Sequence, residues 1–128
     1  MPCSVLIADD NPLLRQFLRK IVARTPDFEV SGEAENGLIA IEKFKELHPE
    51  IVLLDLQMPV MDGLNAARQI KALEPRTTIV LFTMYDTELV RDVASVFGVD
   101  IVIPKSNGSG QLMAKLREIC ARNPRTDP

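Results

Sequence analysis

Apolar runs of four to six residues alternate along this chain with amphipathic stretches of ten or more, and that alternation leaves few folds open. The apolar runs cover Ser4 to Asp9, Glu29 to Ala34, Ile51 to Asp55, Thr78 to Thr83 and Asp100 to Ile103. After the first run, Leu13, Leu14, Phe17, Leu18, Ile21 and Val22 recur on a helical period. Leu38, Ile41, Phe44 and Leu47 do so after the second, and Leu64, Ala67 and Ile70 after the third. Leu89, Val90, Val93, Ala94 and Phe97 form a fourth set, and Leu112, Leu116 and Ile119 a fifth. Five strands, each followed by a helix, predict an α/β domain with a doubly wound parallel sheet, because crossovers between parallel strands are right-handed almost without exception. An open barrel fragment would need more chain, and a circularly ordered variant is the other alternative. Local signals agree: Asn11 is placed to cap a helix with Pro12 at its first position, Asp86 to cap another, and Gly98 to end that one in a left-handed conformation.

At 128 residues the chain is one domain by length, with enough core to need neither disulfide nor metal for stability. Residues 1–121 are expected to form that domain, and 122–128 a polar, proline-containing tail or the start of a linker. The net charge of -3 argues against direct nucleic-acid binding, which selects for clustered Lys and Arg. Arg15, Arg19, Lys20 and Arg24, the one dense basic cluster, read as a solvated helix face. Asp9 and Asp10 interrupt the first apolar run, so neither a signal peptide nor a membrane span is expected, and the cytoplasm is the default. Cys3 and Cys120 lack metal-ligand spacing and read as small buried hydrophobes, with a disulfide as the alternative. The single His48 precedes Pro49 at the end of a helical segment, which suits capping or exposure; one histidine leaves no zinc chemistry.

In a doubly wound sheet the C-terminal ends of all strands share one edge, and ligands bind there. The first run ends in Asp9 and Asp10, the third in Asp55, the fourth in Thr83 and the fifth in Lys105. Glu33 and Glu35 end the second, where an edge strand can leave them in water. A single acidic residue after a strand is often only a turn former or a cap. Three carboxylates converging from adjacent strands repel one another, and protonation or a cation must relieve that. Oxygen ligands without His or Cys point to Mg2+, and the backbone carbonyl of Gln57 could complete the set. Thr83 and Lys105 add a hydroxyl donor and an ammonium on the side of Asp55 away from the pair. Such a constellation suits a phosphoryl group held covalently on Asp55.

With these residues the sequence resembles a bacterial two-component response-regulator receiver domain up to about Cys120. The resemblance is carried by "LIADDNP", "IVLLDLQMPVMDG", "IVLFT" and "IPKS". It implies a flavodoxin-like sheet of strand order 2-1-3-4-5 with five helices. It also implies that Asp55 accepts phosphate from a sensor histidine kinase or phosphotransfer protein, that Asp9, Asp10, Asp55 and the Gln57 carbonyl hold Mg2+, and that Thr83 and Lys105 bind the phosphoryl group. The domain would then be a switch, catalysing only its own phosphorylation and dephosphorylation, with a homodimer or partner face on the last two helices and last strand. Three positions depart from the common pattern. Val102 stands where many members have an aromatic residue, Ser106 where many have a cis proline, and Met84 with Tyr85 where a small residue usually follows the threonine. Lys105-Ser106 is familiar from receivers joined to helix-turn-helix outputs, hence a transcriptional regulator. Met84 and Tyr85 read as an access gate that crowds the phosphoryl group and slows attacking water. Two rival readings are a small Mg2+-dependent phosphohydrolase with Asp55 as nucleophile, and a receiver-like interaction module indifferent to phosphorylation. The first needs an acid-base aspartate close after the nucleophile, where Gln57 stands.

Overall fold

The computed structural model describes residues 2–122 and places five parallel strands in one sheet, ordered β2-β1-β3-β4-β5. The strands are β1 (Cys3–Ala8), β2 (Phe28–Ala34), β3 (Ile51–Leu54), β4 (Thr78–Thr83) and β5 (Ile101–Pro104). Each is followed by a helix: α1 (Pro12–Arg24), α2 (Gly37–Leu47), α3 (Gly63–Leu73), α4 (Glu88–Val96) and α5 (Gly108–Arg122), the last after a short 3-10 turn at Lys105–Asn107. Strand order and helix alternation are as the sequence implied. The expected tail begins at Arg122, the last residue of α5, and residues 123–128 lie outside the described set.

The continuous apolar runs are explained by burial on both faces. Side chains alternate across a strand, so Leu6, Val52, Leu54, Ile79 and Leu81 join one core with Ile41, Phe44, Ala67, Ile70 and Ala94 of α2, α3 and α4. Val5, Ile7, Ile51, Leu53, Val80 and Phe82 join the other with Leu18 and Val22 of α1 and Leu112, Met113 and Leu116 of α5. The helical periods mark the right helices but overstate their cores. Leu13 is 77% exposed and Leu89 71%, and Phe17 and Leu38 are also largely in water.

Capping follows the sequence at α1, where the Asn11 side chain accepts from the backbone N–H of Leu13 and Leu14 and Pro12 opens the helix. His48 caps α2 in a left-handed conformation, with φ 49°. Gly98 takes φ 93° just after α4. Asp86 does not cap α4; Thr87 does, accepting from Val90 N–H, while Asp86 pairs with Arg91 at 2.7 Å. Pro104 ends β5 at the sheet edge, where its missing N–H interrupts no ladder.

Three further expectations are corrected. Cys3 and Cys120 are joined in a disulfide rather than packed as free thiols, because α5 folds back beside the start of β1. Arg15 and Arg19 are not merely solvated: both pair with Glu33, each at 3.2 Å, so Glu33 is not simply left to water. Arg15 also donates to the Asp9 carbonyl at 2.6 Å. The attraction arises because α1 crosses back over the C-terminal end of β2.

Candidate functional site

The site is assembled by strand registry. Ala8 pairs with Leu54 and Ala34, and the ladder runs one residue further on each side: Asp9 N–H donates to the Ala34 carbonyl and Asp55 N–H to the Ala8 carbonyl, both at 3.0 Å. Asp9 and Asp55 are thus the first side chains beyond the sheet, pinned by backbone bonds rather than by their own chemistry. Asp10 follows on the turn into α1. Side-chain oxygens of the three lie within 4.8 Å of one another, with Asp9 buried, Asp55 half-buried and Asp10 exposed.

The β3–α3 connection is held by backbone packing that only glycine permits. Gly63 donates to the Leu56 carbonyl at 2.9 Å, and a Cβ on it would lie 2.0 Å from the Asp55 carbonyl oxygen. Asp62 caps α3, accepting from Asn65 N–H at 2.8 Å. Gly37 donates to the Met61 carbonyl at 2.9 Å, where a Cβ would meet that oxygen at 2.5 Å. The Asp62-Gly63 pair therefore starts a helix and lets α3 press against the residue after β3, which is what holds Asp55 in place. Reading the sequence did not assign this role. An Asp-Gly pair at the head of an amphipathic run is the signal that could have shown it. Val60, in the same loop, adopts φ 69°, a left-handed conformation unfavourable to a β-branched residue.

Electrostatics concentrate on Lys105, whose Nζ lies 2.9 Å from Asp9 Oδ2 and 3.4 Å from Asp55 Oδ1. The expected position on the far side of Asp55 is therefore corrected: the ammonium sits between two carboxylates, where their fields add. Asp9 Oδ1 accepts from Asn11 N–H at 2.9 Å, and Asp55 Oδ1 from Leu56 N–H at 2.8 Å. Burial, and then the neighbouring Asp9 charge, push the Asp55 carboxyl up from 3.8 to about 6, against the opposing pull of Lys105 and the Leu56 N–H.

Gln57, Met58, Met84 and Tyr85 line the same cleft as the three aspartates and Lys105. Tyr85 reaches across it, its hydroxyl donating to Gln57 Oε1 at 3.0 Å. Met84 is 69% exposed beside it. Thr83 is fully buried and is not among the residues lining the cleft. Its hydroxyl accepts from Tyr85 N–H at 3.1 Å, so the loop carrying the gate residues hangs from the threonine. The structure thus gathers seven of the eight candidate site residues around one opening, with the eighth, Thr83, just behind it. Val102 packs, partly buried, against the core on the α2–α3–α4 side.

Three carboxylates facing one ammonium leave an excess of negative charge at an all-oxygen donor set, which fits a hard divalent cation such as Mg2+. Among the described residues, no helix is long and apolar enough to cross a membrane.

Residues 5–117 match the response regulator receiver domain family. A protein-glutamate methylesterase/protein-glutamine glutaminase of Methanosarcina mazei is 34% identical over 128 aligned positions, covering 93% of this chain and 36% of that protein. The chain therefore spans about a third of the length of that curated relative. The chemotaxis protein CheY of Halobacterium salinarum is 33% identical over 119 positions, covering 93% of this chain and 98% of that protein. Among solved structures, a two-component response regulator of the LuxR family from Aurantimonas sp. SI85-9A1 superposes with a TM-score of 0.90 at 27% identity, covering 96% of this chain and 88% of that one.

Proposed function

The chain belongs to the response regulator receiver domain family, and from that premise we propose that it is switched by phosphorylation of Asp55, the phosphoryl group coming from the phosphohistidine of a sensor kinase or phosphotransfer protein. The observation that carries this reading is the meeting of Asp9, Asp10 and Asp55 with Lys105 at the end of β3. Above a pH of about 6 the Asp55 carboxylate is ionised and nucleophilic. One of its oxygens attacks phosphorus in line; the new P–O bond forms as the P–N bond to the imidazole breaks, and the departing nitrogen keeps the electron pair. Lys105, already 3.4 Å from Asp55, neutralises a phosphoryl oxygen. Mg2+, held by Asp9, Asp10, Asp55 and the Gln57 carbonyl, supplies charge neutralisation for the phosphoryl oxygens when bound.

Phosphorylation leaves about two negative charges on the β3 edge. A hydroxyl donor is then attracted inward, and Thr83 is the nearest residue able to supply one from β4. Moving its hydroxyl withdraws the acceptor now held by Tyr85 N–H. The loop and α4 shift with it, changing the face that α4, β5 and α5 offer a partner or second copy. Tyr85 and Met84 form the access gate, closed by the Tyr85–Gln57 hydrogen bond. Gln57 is thus engaged in the gate where the phosphohydrolase reading needs an acid-base aspartate. Kinase-fed signalling suits a cytoplasmic domain, Lys105-Ser106 favours a transcriptional output, and the net charge of -3 argues against direct DNA contact by this domain.

Intact-mass measurement with acetyl phosphate and Mg2+ tests the assignment. Wild type should gain one phosphate-sized increment and Asp55→Asn none. An equal gain in the variant would overturn the role of Asp55. Turnover of a phosphate ester through many equivalents per protein would instead favour the hydrolase.

A further inference from the structure

Away from the acidic edge, one pair of side chains can undergo covalent chemistry of its own. Cys3 opens β1 and Cys120 lies near the end of α5, 117 residues later in the sequence, with Cα atoms 6.4 Å apart. They sit at the N-terminal edge of the sheet, opposite the strand ends that carry Asp9 and Asp55. Cys3 is buried at 7% exposure, and Cys120 is half-buried. Both belong to the core layer beneath α1 and α5.

Burial thins out along the last turn of α5, where Ile119 packs only partly against the core. Leu112, Met113 and Leu116 bury the first part of the helix against the sheet. Beyond them Arg117, Glu118 and Ala121 are exposed and Ile119 only half-buried. A segment with few buried apolar contacts opens at low cost unless something fastens it, and the bond to Cys3 does so.

We propose that Cys3 and Cys120 are a reversible redox-modification site, read by thiols and disulfides of the glutathione class, whose oxidation fastens the last turn of α5 to β1. Oxidation starts at the more accessible sulfur. The Cys120 thiolate attacks a sulfur of the oxidant disulfide, forming a mixed disulfide and expelling one thiolate. The Cys3 thiolate then attacks Cys120 Sγ, forming the internal bond and expelling the second thiolate. Each cysteine has given its proton to solvent, and the two departing thiolates take up protons in turn. The protein thus loses two electrons and the oxidant gains them; reduction by a thiol runs the same steps backwards. The closed loop restricts the unfolded chain, so the oxidised form gains stability, and the gain is accompanied by order in the final turn of α5.

The test uses the full chain equilibrated with oxidised or reduced glutathione and then alkylated. After oxidation no alkyl group should be taken up, and after reduction both cysteines should be modified. The oxidised form should unfold roughly 5 °C or more above the reduced form, and amides of residues 117–122 should exchange more slowly in it. A Cys3→Ala, Cys120→Ala variant should match the reduced protein and ignore the oxidant. Alkylation of both cysteines after oxidant, a smaller thermal shift, or equal exchange at the end of α5 would each overturn the proposal. No readout depends on phosphorylation, so failure here leaves the role of Asp55 standing, and the reverse holds too.

Discussion

Replacing Asp55 by Asn removes a carboxylate that the fold holds at a cost, so the variant should be the more stable protein at neutral pH without metal. Burial and the Asp9 charge outweigh the pull of Lys105, raising the carboxyl from 3.8 to about 6. That interval corresponds to about 3 kcal/mol of preference for the protonated form. The side chain keeps 12% exposure and opens on the cleft, and screening there reduces the figure to roughly 1–2 kcal/mol. The sign follows from which state ionises first. Well below pH 3.8 both folded and unfolded chains are protonated and no cost exists. As pH rises, the unfolded chain ionises while the folded one resists, and the cost is complete above about 6. Urea unfolding in EDTA should therefore show Asp55→Asn ahead by roughly 1–2 kcal/mol at pH 7.5. The lead should fall to about a third of its plateau at pH ~4.5 and vanish below that. Saturating Mg2+ should narrow the lead by stabilising wild type alone. A variant less stable than wild type at pH 7.5, or a lead that does not change between these pH values, would refute the reasoning.

Other substitutions probe the supports of the site. Gly63→Ala sets a Cβ 2.0 Å from the Asp55 carbonyl oxygen; it should cost about 3 kcal/mol or more in urea unfolding and abolish the acetyl phosphate mass gain in whatever remains folded. Val60→Gly relieves φ 69° at a side chain that is 77% exposed, and should raise stability by about 1 kcal/mol. Tyr85→Phe deletes the hydroxyl bonded to Gln57 and Met84→Ala opens the space beside it; each should shorten the lifetime of the phosphorylated protein several-fold. Unchanged lifetimes in both would remove the gate from the account.

How much of this is legible in sequence depends on the distance over which each feature is decided. Asp9, Asp55 and Thr83 could be read at once, because a strand buried on both faces accepts polar groups only at its ends, and parallel connection puts those ends on one edge. The cap at Asn11 and the left-handed His48 were local decisions, made within a few residues. Asp86 against Thr87 was local as well, but both side chains can cap, and pairing with Arg91 takes Asp86 out of that competition. The position of Lys105 was decided 96 residues away, by the field of Asp9 added to that of Asp55; no spacing rule carries such a sum. Leu13 and Phe17 obeyed the helical period yet stayed in water, since periodicity gives a stripe its direction while its width depends on what the other elements cover. Arg15 shows the same limit from the polar side. Its cluster looked like a solvated face, yet the fold sets Glu33 and the Asp9 carbonyl beside it. The arginine thereby connects α1 to the backbone of a residue whose side chain faces Lys105, so one contact ties α1 to an acidic edge that the strand ladder already places.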